Sequence, residues 1–411
     1  MRAIDRRVGV PLCALASALA TLRGRFGRRP AAPVRRALFV ELSEMGSAIL
    51  ADPAMRRLAE RASAELYFAI FAQNAASIEL LGTVPSVNVF TLRSDNLLSL
   101  AIDVVRFMAW CRRHEVDTVV DLELFSRFTA LLSWLSGARR RVGFHAWHDE
   151  GLYRGNLLTH PVRYNPHRHI ATNFLALVET LLDDRRADPY HRAAIEAPEL
   201  ARAPRDEAEI ARVRATLRSL CAHFDPVTQR LVLVNPNASD LLPQRRWMPE
   251  HFTAVIRALL RDYDDVVVVL TGAASDRGSC EAIAASVGDA RCVSSAGAFE
   301  IRELPSLYHC AELMLTNDSG PAHFAAVTPL RTYVLFGPET PAIYGSLGDS
   351  VPIYAELACS PCVSAANHRK TSCTNNVCLR SITPEQVLEL LRARLGRPGA
   401  RRAEATLGSV D

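Results

Sequence analysis

The residues best suited to chemistry lie between Leu313 and Ala326, where the chain reads Leu-Met-Leu-Thr-Asn-Asp-Ser-Gly-Pro-Ala-His-Phe-Ala-Ala. An apolar run closes at Thr316, and Asn317, Asp318, Ser319 and Gly320 follow as a polar loop. Pro321 then stands where a first helical residue belongs, with small apolar residues behind it. The order predicts strand, tight loop, helix. A helix start of this kind presents unpaired N–H groups and the positive end of the helix dipole to an anion. Gly320 lets a ligand approach the main chain, and Ser319 and His323 add side-chain donors. The chemistry is that of a diphosphate cradle; an ordinary capped strand-to-helix turn would read the same way.

Two other clusters invite a metal. Cys359, Cys362, Cys373 and Cys378 are spaced C-x2-C-x10-C-x4-C, which fits tetrahedral zinc; reduced thiols or a disulfide are the other readings. Asn367-His-Arg-Lys370, inside that stretch, carries the chain's single lysine and is placed to meet a phosphate or a polar second substrate. His145, His148, His160, His167 and His169, with Asp149 and Glu150 among them, lack tight ligand pairs and read as a polar loop of the first half of the chain. Asp262-Tyr-Asp-Asp265 has Asp-x-Asp form but precedes a strand, at the end of a sheet where ligands do not bind. No cofactor is otherwise expected.

Alternating strands and helices must position these groups. Residues 36–42, 65–70, 86–92 and 118–122 read as strands, with helices over 97–114 and 125–136. A second series begins at Leu231, with strands over 231–235, 266–271 and 332–336. Its helices cover 249–263, 279–287 and 301–311, and a last one starts at Thr383 with the capping box Thr-Pro-Glu-Gln. Alternation at this spacing predicts parallel, doubly wound sheets. With 411 residues the chain exceeds one core. The expected organisation is a basic leader over 1–35, an N-terminal Rossmann-like domain over 36–185, a connection over 186–229, a C-terminal Rossmann-like domain over 230–395 and a tail over 396–411.

Charge is uneven. The net +4 combines nine Arg and one Asp in the first 36 residues with a mildly acidic remainder. The leader's apolar run from Val8 to Leu22, flanked by arginines, is too short for a membrane span. A signal peptide and a disordered leader are alternatives to the reading preferred here, a retained segment touching an anionic membrane surface. Nucleic acid is not an expected partner.

Together the cradle, the stretch Leu231-Val-Leu-Val-Asn-Pro-Asn-Ala-Ser, the Gln244-Arg-Arg-Trp-Met-Pro-Glu250 helix opening and Thr332-Tyr-Val-Leu-Phe-Gly-Pro-Glu-Thr-Pro341 resemble glycosyltransferase family 9, the bacterial heptosyltransferases. The resemblance runs from about Arg36 to about Leu395. It implies the GT-B fold, an α/β architecture of two Rossmann-like domains facing each other across a cleft. It also implies an inverting, metal-independent transferase moving a sugar, heptose foremost, from a nucleoside diphosphate sugar to a lipopolysaccharide or other surface glycan. ADP-heptose is the donor favoured by the resemblance and a lipid-linked saccharide the acceptor. The enzyme would sit in the cytoplasm, peripheral on the inner face of the bacterial inner membrane.

The family places a basic residue before a Trp-Pro pair; Arg245 and Arg246 both qualify here, because Met248 separates Trp247 from Pro249. Its first loop carries Gly-Asp, that Asp being the base, whereas this chain has Gly46-Ser47. Glu44 on the same loop, and after it Asp52, are the carboxylates expected to substitute. The departure at Ser47 keeps open a nucleotide-sugar-binding protein of the same fold with lost or altered catalysis.

Overall fold

The computed structural model describes residues 8–24, 33–146, 152–184, 188, 190–191, 193–365, 367 and 369–396. The chain divides into two compact units, Met1–Ala201 and Arg202–Asp411. The division falls inside the stretch expected to connect two domains.

The first unit is built on β1 (Arg36–Val40), β2 (Glu65–Phe71), β3 (Val89–Leu92), β4 (Thr118–Asp121), β5 (Arg140–Phe144) and β6 (His160–Val162). They form one parallel sheet in the order β3-β2-β1-β4-β5-β6. The second unit holds β7 (Arg230–Asn235), β8 (Val266–Leu270), β9 (Cys292–Ser294), β10 (Leu313–Asn317), β11 (Arg331–Phe336) and β12 (Ser350–Tyr354), parallel in the order β12-β11-β10-β7-β8-β9. Central strands are buried on both faces, which explains their unbroken apolar runs, such as Val266-Val-Val-Val-Leu270. In each sheet the strand order reverses between two neighbours: β1 and β4 in the first, β7 and β10 in the second. Ligands of such sheets bind in the crevice outside the strand C-termini at that reversal.

The expected helices form with small shifts at their ends. Asn96 caps Leu97–Arg113 through its side chain, and Thr383 and Gln386 close the capping box of Pro384–Leu395, with Thr383 N donating to Gln386 Oε1 at 2.9 Å. Helix Glu207–Leu220 belongs to the second unit: Ile210, Val213 and Leu217 are buried and Ser306 donates to Glu209 at 2.6 Å. Helix Met45–Leu50 begins before Gly46 and Ser47, so those residues are helical rather than part of a longer turn.

Gly9–Gly24 is a helix with two distinct faces. Cys13, Ala16 and Ser17 pack toward Ala130, Leu157 and Trp134 of the same unit, and Ser17 Oγ accepts the Asn156 N–H at 2.8 Å. On the other side Leu12, Leu15, Leu19 and Leu22 are exposed, with Val8 preceding them. No helix among the described residues is long and apolar enough to cross a membrane.

Candidate functional site: two switch points

In the second unit the loop after β10 is the expected cradle. Asn317 ties it to the loop after β7: its Oδ1 accepts the Trp247 N–H at 3.0 Å and its Nδ2 donates to Pro236 O at 2.8 Å. Trp247 is fully buried and donates Nε1–H to Ile382 O at 3.0 Å, which anchors the start of helix Pro249–Asp262. Ser319 is extended at the N-cap of Gly320–Ala325, and its hydroxyl donates to Asn317 O at 3.2 Å, so the hydroxyl closes the loop rather than pointing away from it. Gly320 needs no unusual backbone. A Cβ there would lie 3.2 Å from the Phe324 ring, so glycine keeps the helix start open. His323 is buried in the first turn.

The two candidate arginines separate cleanly. Arg245, in the tight turn Pro243–Arg245, donates to Glu339 Oε1 at 2.8 Å and lies 3.4 Å from Asp318 Oδ2. Glu339 and Asp318 are both buried. Arg369 approaches Glu339 at 3.8 Å while its guanidinium stacks 4.4 Å above the Tyr344 ring. Two guanidiniums and two buried carboxylates therefore converge beside the cradle, each acid orienting a cation. Arg246 instead turns back onto Ala238 O at 3.0 Å and Asp240 at 2.5 Å and holds its own loop. Glu339 lies within the 332–341 motif, but nothing in the motif itself marks its role.

In the first unit, the loops after β1 and β4 meet at the other reversal. Glu44 is the N-cap of Met45–Leu50, and Ser47 donates its hydroxyl to Glu44 Oε2 at 3.0 Å. Asp52 is fully buried. Its Oδ1 accepts from Thr83 at 2.5 Å, and its Oδ2 accepts from Arg56 Nε at 2.9 Å and Ala201 N at 2.8 Å. Those three donors make Asp52 a tie between segments.

Another carboxylate occupies this crevice. Glu123 follows β4, and its Oε1 accepts from Leu42 N and Ser43 N, both at 3.1 Å, and from Ser43 Oγ at 2.6 Å. Phe125, buried at φ 61°, turns the chain sharply from this loop into helix Arg127–Leu135. A bulky residue in that region is uncommon and marks a constrained loop. Burial raises the Glu123 carboxyl above the usual range; the Ser43 hydrogen bond opposes this, and the negative charges of Glu44 and Asp121 add to it. Asp121 is itself paired with the fully buried Arg154. Nothing local in the sequence marks Glu123; its partners are about eighty residues away.

The remaining clusters have separate roles. His160 is buried between Thr159 and Asp184, His169 accepts the Ala171 N–H at 3.2 Å as a helix cap, and His145 lies 3.0 Å from Gly155 O. His148, Asp149, Glu150 and His368 lie outside the described residues. A cleft of about 730 Å³ is lined by Arg163, His167, Arg168, Tyr190 and His191, a basic surface beyond β6. Asp265 pairs with Arg230 at 2.8 Å and Asp262 with Arg392 at 3.0 Å, so the Asp-Tyr-Asp-Asp run is structural. Cys359, Cys362, Cys373 and Cys378 are free thiols, and among the described residues no group of His, Cys, Asp or Glu side chains is arranged to hold a metal.

Known proteins share this architecture. Lipopolysaccharide heptosyltransferase 2 of Salmonella typhimurium is 25% identical over 183 residues, 44% of this chain and 51% of that protein. The enzyme of the same name from Escherichia coli K12 is 27% identical over 43% of this chain and 50% of its own length. The chain thus matches about half the length of these curated relatives. Among solved structures, E. coli ADP-heptose LPS heptosyltransferase II superposes with a TM-score of 0.67 at 20% identity, covering 88% of this chain and 98% of that one. E. coli heptosyltransferase WaaC with ADP gives 0.60 at 14% identity over 87% and 99%. The fold is therefore GT-B, with two parallel six-stranded sheets. The model of glycosyltransferase family 9 (heptosyltransferase) matches residues 105–372, and the chain belongs to that family.

Proposed function

We propose that the protein is an inverting glycosyltransferase that moves a sugar, heptose foremost, from a nucleoside diphosphate donor to a lipid-linked saccharide of the cell surface. The observation that carries this reading is the convergence of Arg245 with Asp318 and Glu339 beside the open helix start at Gly320. Glycosyl transfer requires the charge of the departing diphosphate to be met as the sugar's C1–O bond breaks. Arg245 is the cation suited to meeting it, and the backbone N–H groups at Gly320 are the complementary donors. ADP-heptose is the donor suggested by the relatives' names. The basic cleft of Arg163, His167, Arg168 and His191 suits an anionic acceptor saccharide.

The place of action we propose is the inner face of the bacterial inner membrane. The exposed stripe Leu12, Leu15, Leu19 and Leu22 is flanked in the sequence by Arg6, Arg7, Arg23, Arg25, Arg28 and Arg29. Apolar side chains with surrounding cations are the combination that seats a helix in an anionic lipid surface.

Titration calorimetry with ADP-, GDP- and UDP-sugars, followed by turnover with a lipid-linked acceptor, tests the reading. One donor should bind in the micromolar range and be consumed only when acceptor is present. Gly320→Val, which presses a side chain onto Phe324 and narrows the helix start, should fold and lose at least tenfold in donor affinity. Unchanged affinity in the folded variant would remove the cradle from the site. Tight donor binding without transfer to any saccharide acceptor would favour a nucleotide-sugar-binding protein instead.

A further inference from the structure

We propose that Glu123 is the general base for the acceptor hydroxyl, standing in for the carboxylate that this chain lacks at Ser47. The assignment rests on the transferase reading above.

Three observations support it. The first is topological. Val40 of β1 pairs in register with Asp121 of β4 across the reversal of strand order, so a residue two positions past Asp121 emerges at the crevice where this kind of sheet binds ligands. The second is the division of labour within the carboxylate. Oε1 is held by three donors, two of them backbone N–H groups of the β1 loop, whereas Oε2 makes no hydrogen bond among the described residues and the side chain is only partly buried. One fixed oxygen and one open oxygen give a base a defined direction, which general base catalysis needs before basicity matters. The third is the state of the alternatives. Asp52 is buried under three donors, and Glu44 Oε2 accepts from the Ser47 hydroxyl on its own helix.

In the step, the acceptor O–H proton passes to Glu123 Oε2 while the acceptor oxygen bonds to the anomeric carbon. The bond from that carbon to the phosphate oxygen breaks, and its electron pair leaves with the nucleoside diphosphate. The protonated Glu123 then returns its proton to solvent. Its surroundings favour proton uptake. Burial raises the pKa of the carboxyl, and the negative charges of Glu44 on the β1 loop and of Asp121 at the end of β4, itself paired with Arg154, add to that. Glu123 must be ionised to act, so kcat/KM falls as pH drops through its raised pKa.

Glu123 also ties two loops together, and the glutamine variant separates the two roles. In Glu123→Gln the amide oxygen still accepts from Leu42, Ser43 N and Ser43 Oγ, but the side chain takes no proton. The full chain carrying Glu123→Gln should melt within a few degrees of wild type, bind donor with unchanged affinity and lose about 10²–10⁴ in turnover with acceptor. Glu44→Gln should instead move the acid limb of the kcat/KM profile to lower pH, because removing a neighbouring negative charge lowers the Glu123 pKa, with less than a tenfold change at the plateau. Near-normal turnover in a folded Glu123→Gln variant overturns the assignment. So does a loss of 10² or more in Glu44→Gln with the acid limb unmoved. Absence of product from the wild-type protein with every donor and acceptor removes the transferase reading and this assignment with it.

Discussion

At the scale of single residues, Arg245 and Arg246 should behave differently although they are neighbours of identical type. Arg245→Ala removes the cation from beside the cradle and leaves Glu339 and Asp318 buried with weaker compensation from Arg369. Charge-assisted hydrogen bonds contribute about 1.5–3 kcal/mol each, so donor affinity should fall by roughly 10- to 100-fold. Arg246→Ala loosens the turn onto Ala238 and Asp240, whose carboxylate is almost fully exposed, and exposed pairs contribute about 0–1 kcal/mol. Its donor affinity should stay within about threefold of wild type. Calorimetric titration of both variants decides the matter, and equal losses would mean that the loop, not one guanidinium, carries the effect. The motif located this pair in the sequence but did not divide the roles, since that depends on where Glu339 and Asp318 lie in space. Glu123 was beyond reach for the same reason: a Glu in a loop after a strand is ordinary until the β1 loop is seen to donate three hydrogen bonds to it.

At the scale of elements, helix Gly9–Gly24 is the part with the clearest unsatisfied surface. Its buried face is made of small residues, Cys13, Ala16 and Ser17, that fit closely against Ala130 and Leu157. Its leucines point elsewhere. Substituting Leu12, Leu15 and Leu19 by Gln should therefore leave the thermal midpoint nearly unchanged, because these side chains are already exposed. Sedimentation with vesicles rich in anionic lipid should fall at least tenfold in the triple variant, and in the wild type it should weaken as salt rises. Binding that ignores both the leucines and the salt would detach the helix from the membrane argument. The apolar run itself was legible in the sequence, whereas its small-residue packing face was not, because Ala, Ser and Cys carry little pattern of their own. The strands that escaped sequence reading, β5, β6, β9 and β12, are short or polar. Arg140-Arg141, His160-Pro161 and Pro352 interrupt the apolar run that identified β1, β7 and β8.

At the scale of the whole molecule, the chain relies on one kind of cation. Of its 48 basic residues all but Lys370 are arginine, and each unit has a buried Arg–Asp pair, Arg154 with Asp121 and Arg230 with Asp265. Arg154 shows why lysine would not serve. Its Nε donates to Ser126 O at 2.8 Å, Nη1 to Phe144 O at 2.8 Å, and Nη2 to Thr129 Oγ1 at 3.0 Å as well as to Asp121. Four acceptors on β4, β5 and the helix that follows β4 are thus met by one rigid, planar fork. A lysine ammonium has three donors at a single point and cannot span them, so two or more buried acceptors would be left without partners. Arg154→Lys should therefore cost about 2–4 kcal/mol although it keeps the charge. Arg154→Met should cost about 3–5 kcal/mol, because the Asp121 carboxylate then stays buried without a counter-charge. In Arg154→Met, exchanging Asp121 for Asn as well should restore part of the loss by removing that charge. Urea denaturation of the three variants measures these differences. If Arg154→Lys were as stable as wild type, the fork would be irrelevant and charge alone would hold the end of β4, together with the loop that carries Glu123.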